Sequence, residues 1–119
     1  MGYATYDKTI PQMTREVRVI NTEKGWRSGD NTFGDYIALL HSEASEALEA
    51  YRDRRLEPFT TEKGKPDDVG SEFADVLIRL LDTCDVFGID LAAEYERKVA
   101  YNRTRPYRHG GRTLADTHL

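Results

Sequence analysis

Four acidic residues in two matched pairs carry the chemistry this chain offers: Glu43-x-x-Glu46 and Glu72-x-x-Asp75, with 25 residues between the pairs. Residues three apart on a helix lie on one face, about 60° apart and about 4.5 Å along the axis, so each pair aims its oxygens at one place. Both pairs stand beside apolar stripes, whereas a solvated helix puts its acids on the far side. Brought together, the four carboxylates form an oxygen cage. At about 6 Å and an effective dielectric of about 20, two such charges repel by roughly 3 kcal/mol, so the cage calls for cations or protons. All-oxygen ligands select a hard cation, Mg²⁺ or Mn²⁺, over zinc. A single E-x-x-E says little, because exposed helices are full of them. Two pairs in matching positions point to a metal site made of Glu43, Glu46, Glu72 and Asp75.

Other site chemistries find less support. Helical di-iron proteins combine carboxylates with Glu-x-x-His, and none of His41, His109 and His118 has a glutamate three residues before it. The one cysteine, Cys84, falls at an apolar helix position and reads as a buried thiol. Alone, it excludes an intrachain disulfide and a cysteine-based zinc site. No serine or cysteine stands in a nucleophile elbow, and neither Walker-type nor Rossmann-type glycine spacing occurs.

Four helices must position these groups, and the fold class is all-α. Ile10, Met13, Val17 and Ile20 recur at helical spacing behind Thr9 as N-cap and Pro11 in the first turn, and this first helix ends near Lys24-Gly25. The second starts after Thr32, with Asp35 in the capping-box place, and its stripe of Phe33, Ile37, Leu40, Ala44, Ala47 and Tyr51 predicts a helix to about Leu56. Leu39, Glu43, Glu46 and Ala50 form the adjoining stripe, so the glutamates sit at the edge of the buried face. Small Ala44, Ala47 and Ala50 let another helix approach closely.

Pro58, Gly64 and Pro66 mark a loop, and Asp67 or Asp68 caps the third helix. There Val69, Phe73, Val76, Leu80, Cys84 and Phe87 form the stripe, with Glu72, Asp75, Arg79 and Asp82 along its edge. The connecting loop returns the third helix antiparallel to the second. Gly88 ends the third helix and Asp90 caps a fourth, which carries Leu91, Tyr95 and Val99 inward and stops before Pro106. No strand, repeat or low-complexity tract is evident.

The length of 119 residues fits one domain over 1–119, irregular and basic from about residue 106. So small a core leaves apolar helix faces for a partner subunit, which predicts a homo-oligomer. The net charge of −4 hides an asymmetry. Arg97 to Arg112 holds six basic residues and no acidic one, leaving 11 basic against 21 acidic residues elsewhere. By itself such a run reads as a solvated tail or a nucleic-acid contact. Beside a carboxylate cluster, it suits a metal-bound polyphosphate better than a nucleic-acid polymer. With no signal-like N-terminus and no run of 18 apolar residues, the expectation is a cytoplasmic protein without a membrane partner.

E-x-x-E, a gap, E-x-x-D and then Lys98-x-x-x-Asn102 about a helix later resemble the MazG-like nucleoside triphosphate pyrophosphohydrolases of the all-α superfamily. The resemblance covers roughly Lys24 to Arg112, and the string Gly34-Asp35-Tyr36-Ile37-Ala38-Leu39-Leu40-His41-Ser42-Glu43 through Glu49 is similar to small phage and bacterial members. It implies a four-helix protomer in a homodimer or tetramer that converts an NTP or dNTP to the monophosphate and pyrophosphate with Mg²⁺. Glu43, Glu46, Glu72 and Asp75 match the family's metal ligands. Lys98 and Asn102 match positions contacting phosphates or sugar, and Trp26 lies where related enzymes place an aromatic residue near the base.

In the mechanism this implies, Glu46 or Glu43 takes the proton from the attacking water, and Lys98 with Arg105 or Arg112 stabilises the leaving pyrophosphate. Ser42 stands where some members carry a further acid, which leaves the number of ions open. Structural readings stand beside these: Trp26 packing on its loop, Asn102 capping its helix, Lys98 paired with Glu94, and Arg79 paired with Asp75 or Asp82. The alternative function is a catalytically silent helical module, sensing nucleotide or binding a partner on the same scaffold. Base, sugar, the phosphate attacked and the role of His109-Gly110-Gly111-Arg112 are not encoded in the pattern.

Overall fold

The computed structural model describes residues 5–107, which form α1 (Ile10–Glu23), α2 (Phe33–Arg52), α3 (Val69–Val86) and α4 (Leu91–Arg103). Each helix begins on a side chain that answers the unpaired N–H groups of its first turn. Thr9 and Gln12 form a reciprocal capping box on α1, at 3.2 and 2.6 Å. Thr32 and Asp35 do the same on α2, at 3.2 and 2.9 Å. On α3 the cap is Asp68, whose Oδ1 accepts from the Ser71 N–H at 2.8 Å, and on α4 it is Asp90, which accepts from the Ala93 N–H at 3.0 Å.

Three of the helices end alike. After α1 the Trp26 N–H donates to the Asn21 carbonyl at 2.9 Å, and after α3 the Ile89 N–H donates to that of Cys84 at 2.8 Å, with left-handed Gly25 and Gly88 making the reversal. At the end of α2 this place falls to Arg54, at φ 63°, and the Arg55 N–H donates to the Ala50 carbonyl at 2.9 Å. That closure stops α2 at Arg52, short of the Leu56 expected from the apolar stripe. Sequence inspection misses it because an arginine fills the position glycine usually marks.

Contacts at both ends set the pairing of α2 and α3. The Phe33 ring at the start of α2 meets Phe87, just past α3, edge to face at 5.0 Å, and Tyr36 meets the same ring at 5.5 Å. At the other end the Val69 N–H donates to the Arg55 carbonyl at 2.9 Å, and Arg55 Nε donates to the Asp67 carbonyl at 2.9 Å. The two helices therefore run antiparallel. Asp68 fastens the loop between them, its Oδ2 accepting from the Phe59 N–H at 2.8 Å. These backbone donors hold its carboxyl below the usual carboxylate range. Within that loop Thr60 and Pro66 form an isolated antiparallel bridge.

The core is small and its apolar members are Val17, Tyr36, Ala47, Ala50, Val69, Leu81 and Cys84. Ala47 and Ala50 are buried as their size suggested, whereas Ala44 is exposed. The start of α3 is turned from the orientation expected. Phe73, placed by its spacing in the buried stripe, is 61% exposed, while its neighbour Glu72 is 4% exposed. Phe33 and Tyr51 are likewise exposed on α2. On α3 the edge of Glu72, Asp75, Arg79 and Asp82 lies inward, beside Val69 and Cys84 of the apolar stripe, which are buried as expected.

The chain forms two compact units divided after Ile89, and α4 belongs to the second. This helix buries no residue, and Tyr95, expected to point inward, is 64% exposed. Glu94 pairs with Arg97 at 2.6 Å, and Lys98 Nζ sits 5.7 Å from the Tyr101 ring centre instead of pairing with Glu94. Among the described residues no helix is long and apolar enough to cross a membrane.

Candidate metal centre

Antiparallel pairing of α2 and α3 brings the middle of one helix to the beginning of the other. Glu43, Glu72 and Asp75 each offer a carboxylate oxygen within 4.8 Å of the others. At about 5 Å and an effective dielectric of about 20, each pair of charges repels by roughly 3 kcal/mol, and burial adds a desolvation cost. Proton affinity in the cluster rises accordingly. Burial first, and then the charges of Glu46, Asp75 and Glu43, lift Glu72 from 4.5 to about 7. Burial and Asp75 raise Glu43 as well, with the Arg79 guanidinium pulling the other way.

Glu72 is the residue least at ease. Its Oε2 is buried with no hydrogen-bond partner, the single such side-chain atom among the described residues. A buried acceptor left unpaired costs about 1–3 kcal/mol, more when charged, so it calls for a proton, a water or a cation. Three or four oxygen donors of this kind, without nitrogen or sulfur, suit a hard divalent cation. Glu46 stands next to the cluster. It is exposed, lies outside the 4.8 Å group, and its charge is the largest among those raising Glu72.

The carboxylates open onto a cleft of about 760 Å³ walled by α1, α2, α3 and the α1–α2 loop. That volume is in the range of small-molecule sites. Glu43, Glu46 and Asp75 line it together with Asn21, Trp26 and Lys65. Trp26 lines it from the loop and is 63% exposed.

The described structure thus brings together Trp26, Glu43, Glu46 and Asp75 around one cleft and Glu72 against the same carboxylates. Lys98 and Asn102 lie on α4, and Arg105 follows it. Arg112 and the His109-Gly110-Gly111-Arg112 segment lie outside the described residues. Among the polar cleft residues that had no place in the expected site are Asn21, Lys65, Arg79 and Asp82. Arg79 and Asp82 carried a signal, since they continue the Glu72–Asp75 edge at helical spacing. Arg79 does not pair with Asp82, which is held by Arg27 at 2.7 Å. Asn21 and Lys65 carried none, because one sits at the end of a helix and the other in a turn, and only the folded chain carries them to the cleft.

No protein-family model matches the chain, and no curated protein or solved structure matches it.

Proposed function

We propose that this chain is a divalent-cation-dependent nucleoside triphosphate pyrophosphohydrolase of the MazG-like kind, producing a nucleoside monophosphate and pyrophosphate with Mg²⁺ or Mn²⁺. The observation that carries the reading is Glu72: a buried carboxylate with an unpartnered oxygen, within 4.8 Å of two more, beside a cleft of nucleotide scale. Glu43, Glu72 and Asp75 would hold the ion, with Glu46 adjacent. When bound, the ion supplies neutralisation of triphosphate charge and a more acidic water. Glu46, exposed and outside the tight group, takes the water's proton. Trp26 offers the nucleoside a flat face, and Lys65 supplies a cation to the polar end of the substrate.

The proposal extends to a homodimer or a tetramer of dimers. Phe33, Tyr51, Phe73 and Leu77 stay exposed on α2 and α3, which supports a second copy covering them. The function is tested by incubating the purified chain with canonical, deoxy and modified NTPs and measuring pyrophosphate with and without Mg²⁺. Release that depends on the ion, with kcat/KM at least tenfold higher for some substrates than others, is the expected result. No release from any of them overturns the enzyme. Calorimetric binding of nucleotide and Mg²⁺ without product would establish the silent sensor instead.

A further inference from the structure

The α1–α2 loop supplies one wall of the cleft, yet little apolar packing fixes it. Trp26 is largely exposed, and Gly25 and Gly29 both adopt left-handed conformations, at φ 73° and 94°. The Trp26 N–H bond to the Asn21 carbonyl still belongs to the end of α1. Between there and the Thr32 cap, Arg27 carries the loop's side-chain ion pairs among the described residues. Its Nε and Nη2 donate to Asp82 Oδ1 at 2.9 and 2.7 Å, and its Nη1 reaches Asp85 Oδ2 at 2.8 Å. Asp85 also accepts from Arg18 of α1, Oδ2 from Nε at 2.9 Å and Oδ1 from Nη2 at 2.6 Å.

Two arginines and two aspartates thus make a charge-balanced cluster joining α1, the loop and α3. Arg27 is 20% exposed within it. Partly buried ion clusters contribute little net stability, since desolvation offsets most of the attraction, but they specify geometry. A planar guanidinium spanning two carboxylates one helical turn apart is a rigid fork, which the point charge of lysine cannot reproduce. The anchored residue is the immediate neighbour of Trp26, and Asp82 itself lines the cleft. The helix that receives the fork also carries Glu72 and Asp75.

We propose that Arg27 is a positioning residue: clasped to Asp82 and Asp85, it seats Trp26 and the α1–α2 loop as a wall of the cleft that the carboxylates also line, setting substrate affinity and not the chemical step. This rests on the nucleotide reading above. The test uses the full chain and its R27Q, R27K and D82N variants, with two readouts. Trp26 is the only tryptophan, so time-resolved anisotropy reports the loop directly, without any substrate. Steady-state kinetics with Mg²⁺ and the best NTP then separate KM from kcat.

R27Q is expected at least to double the amplitude of nanosecond tryptophan motion and to raise KM about tenfold with kcat within about threefold, and R27K to recover part of both. Unchanged anisotropy in R27Q overturns the clasp, and a fall in kcat at constant KM overturns the affinity role. Should R27Q lose its helical circular dichroism, D82N, which leaves the Asp85 contact in place, carries the same comparison, and unchanged anisotropy there overturns the clasp. If no variant or parent hydrolyses any NTP, the nucleotide reading and the affinity role fall, while the anisotropy still decides whether Arg27 holds the loop.

Discussion

Helix α3 carries two acidic pairs at the same spacing, Glu72 with Asp75 near its start and Asp82 with Asp85 near its end, and they have opposite electrostatic lives. The first pair faces other carboxylates, and burial among them raises Glu72 to about 7. The second faces arginines, and the guanidiniums of Arg18 and Arg27 hold Asp85 down to about 2, against its burial. Spacing along a helix brings two carboxylates to one face, but the opposing helix or loop decides whether they are neutralised from within or left for a cation from outside. The unsatisfied pair is the candidate site, and the satisfied pair fixes the wall beside it.

The largest expected effect comes from breaking the unsatisfied pair. E72Q and D75N should each lower Mg²⁺-dependent turnover by about 10³-fold or more while the helical circular dichroism is kept, because a neutral amide oxygen is a weaker ligand for Mg²⁺ than a carboxylate and carries none of its counter-charge. E46Q separates the two roles in the cluster. As proton acceptor, Glu46 should cost about 10²- to 10⁴-fold in kcat with Mg²⁺ affinity within a few-fold of the parent's. Equal loss of metal affinity in E46Q and E72Q, read by titrating activity with Mg²⁺, would make Glu46 a ligand of the same rank.

The two pairs also predict opposite responses to pH. A carboxyl raised by folding binds more protons in the native than in the unfolded chain, so Glu72 favours the metal-free fold below about 4.5 and that advantage disappears as pH rises to about 7. Asp85 is lowered by folding, so its contribution is complete above 3.8 and lost as pH falls towards 2. Thermal melts of the chelator-treated protein should decline by about 5 °C between pH 5 and pH 8, and Mg²⁺ should restore them at the alkaline end by binding the deprotonated cluster. E72Q should flatten the neutral slope alone. D85N should flatten the acid limb alone.

How much of this was legible in the chain follows the range of each interaction. Helix starts at Thr9, Thr32 and Asp90 and the glycine reversals at Gly25 and Gly88 depend on residues within about six positions, and the spacing reveals them, while it leaves the α3 cap open between Asp67 and Asp68. The pairing of Glu72 with Glu43 was legible as a proposal because both helices repeat one motif. Helix rotation was not: at Glu72 and Phe73 adjacent residues compete for the interior, and the acid's place there makes physical sense only with a cation or proton to accept it. The Arg27–Asp82 pair joins residues 55 positions apart and leaves no periodic trace. It was the unpaired acids, whose repulsion had to be answered, that advertised themselves.

The smallest effect distinguishes the two arginines inside the satisfied pair. Arg18 is half exposed and holds Asp85 from the side of α1, whereas Arg27 is largely covered and also holds Asp82. Exposed guanidinium pairs are screened by water and salt, so R18Q should move the melting temperature by no more than about 2 °C and leave KM within about twofold. Its anisotropy should match the parent's, because Arg27 still spans both aspartates. If R18Q instead loosens Trp26 as much as R27Q does, the grip on the loop runs through Asp85 as a bridge between the arginines, and Arg18 becomes part of the positioning device. The comparison then shifts from two arginines of unequal weight to one four-residue unit, whose members would show strong non-additivity in the R18Q/R27Q double variant.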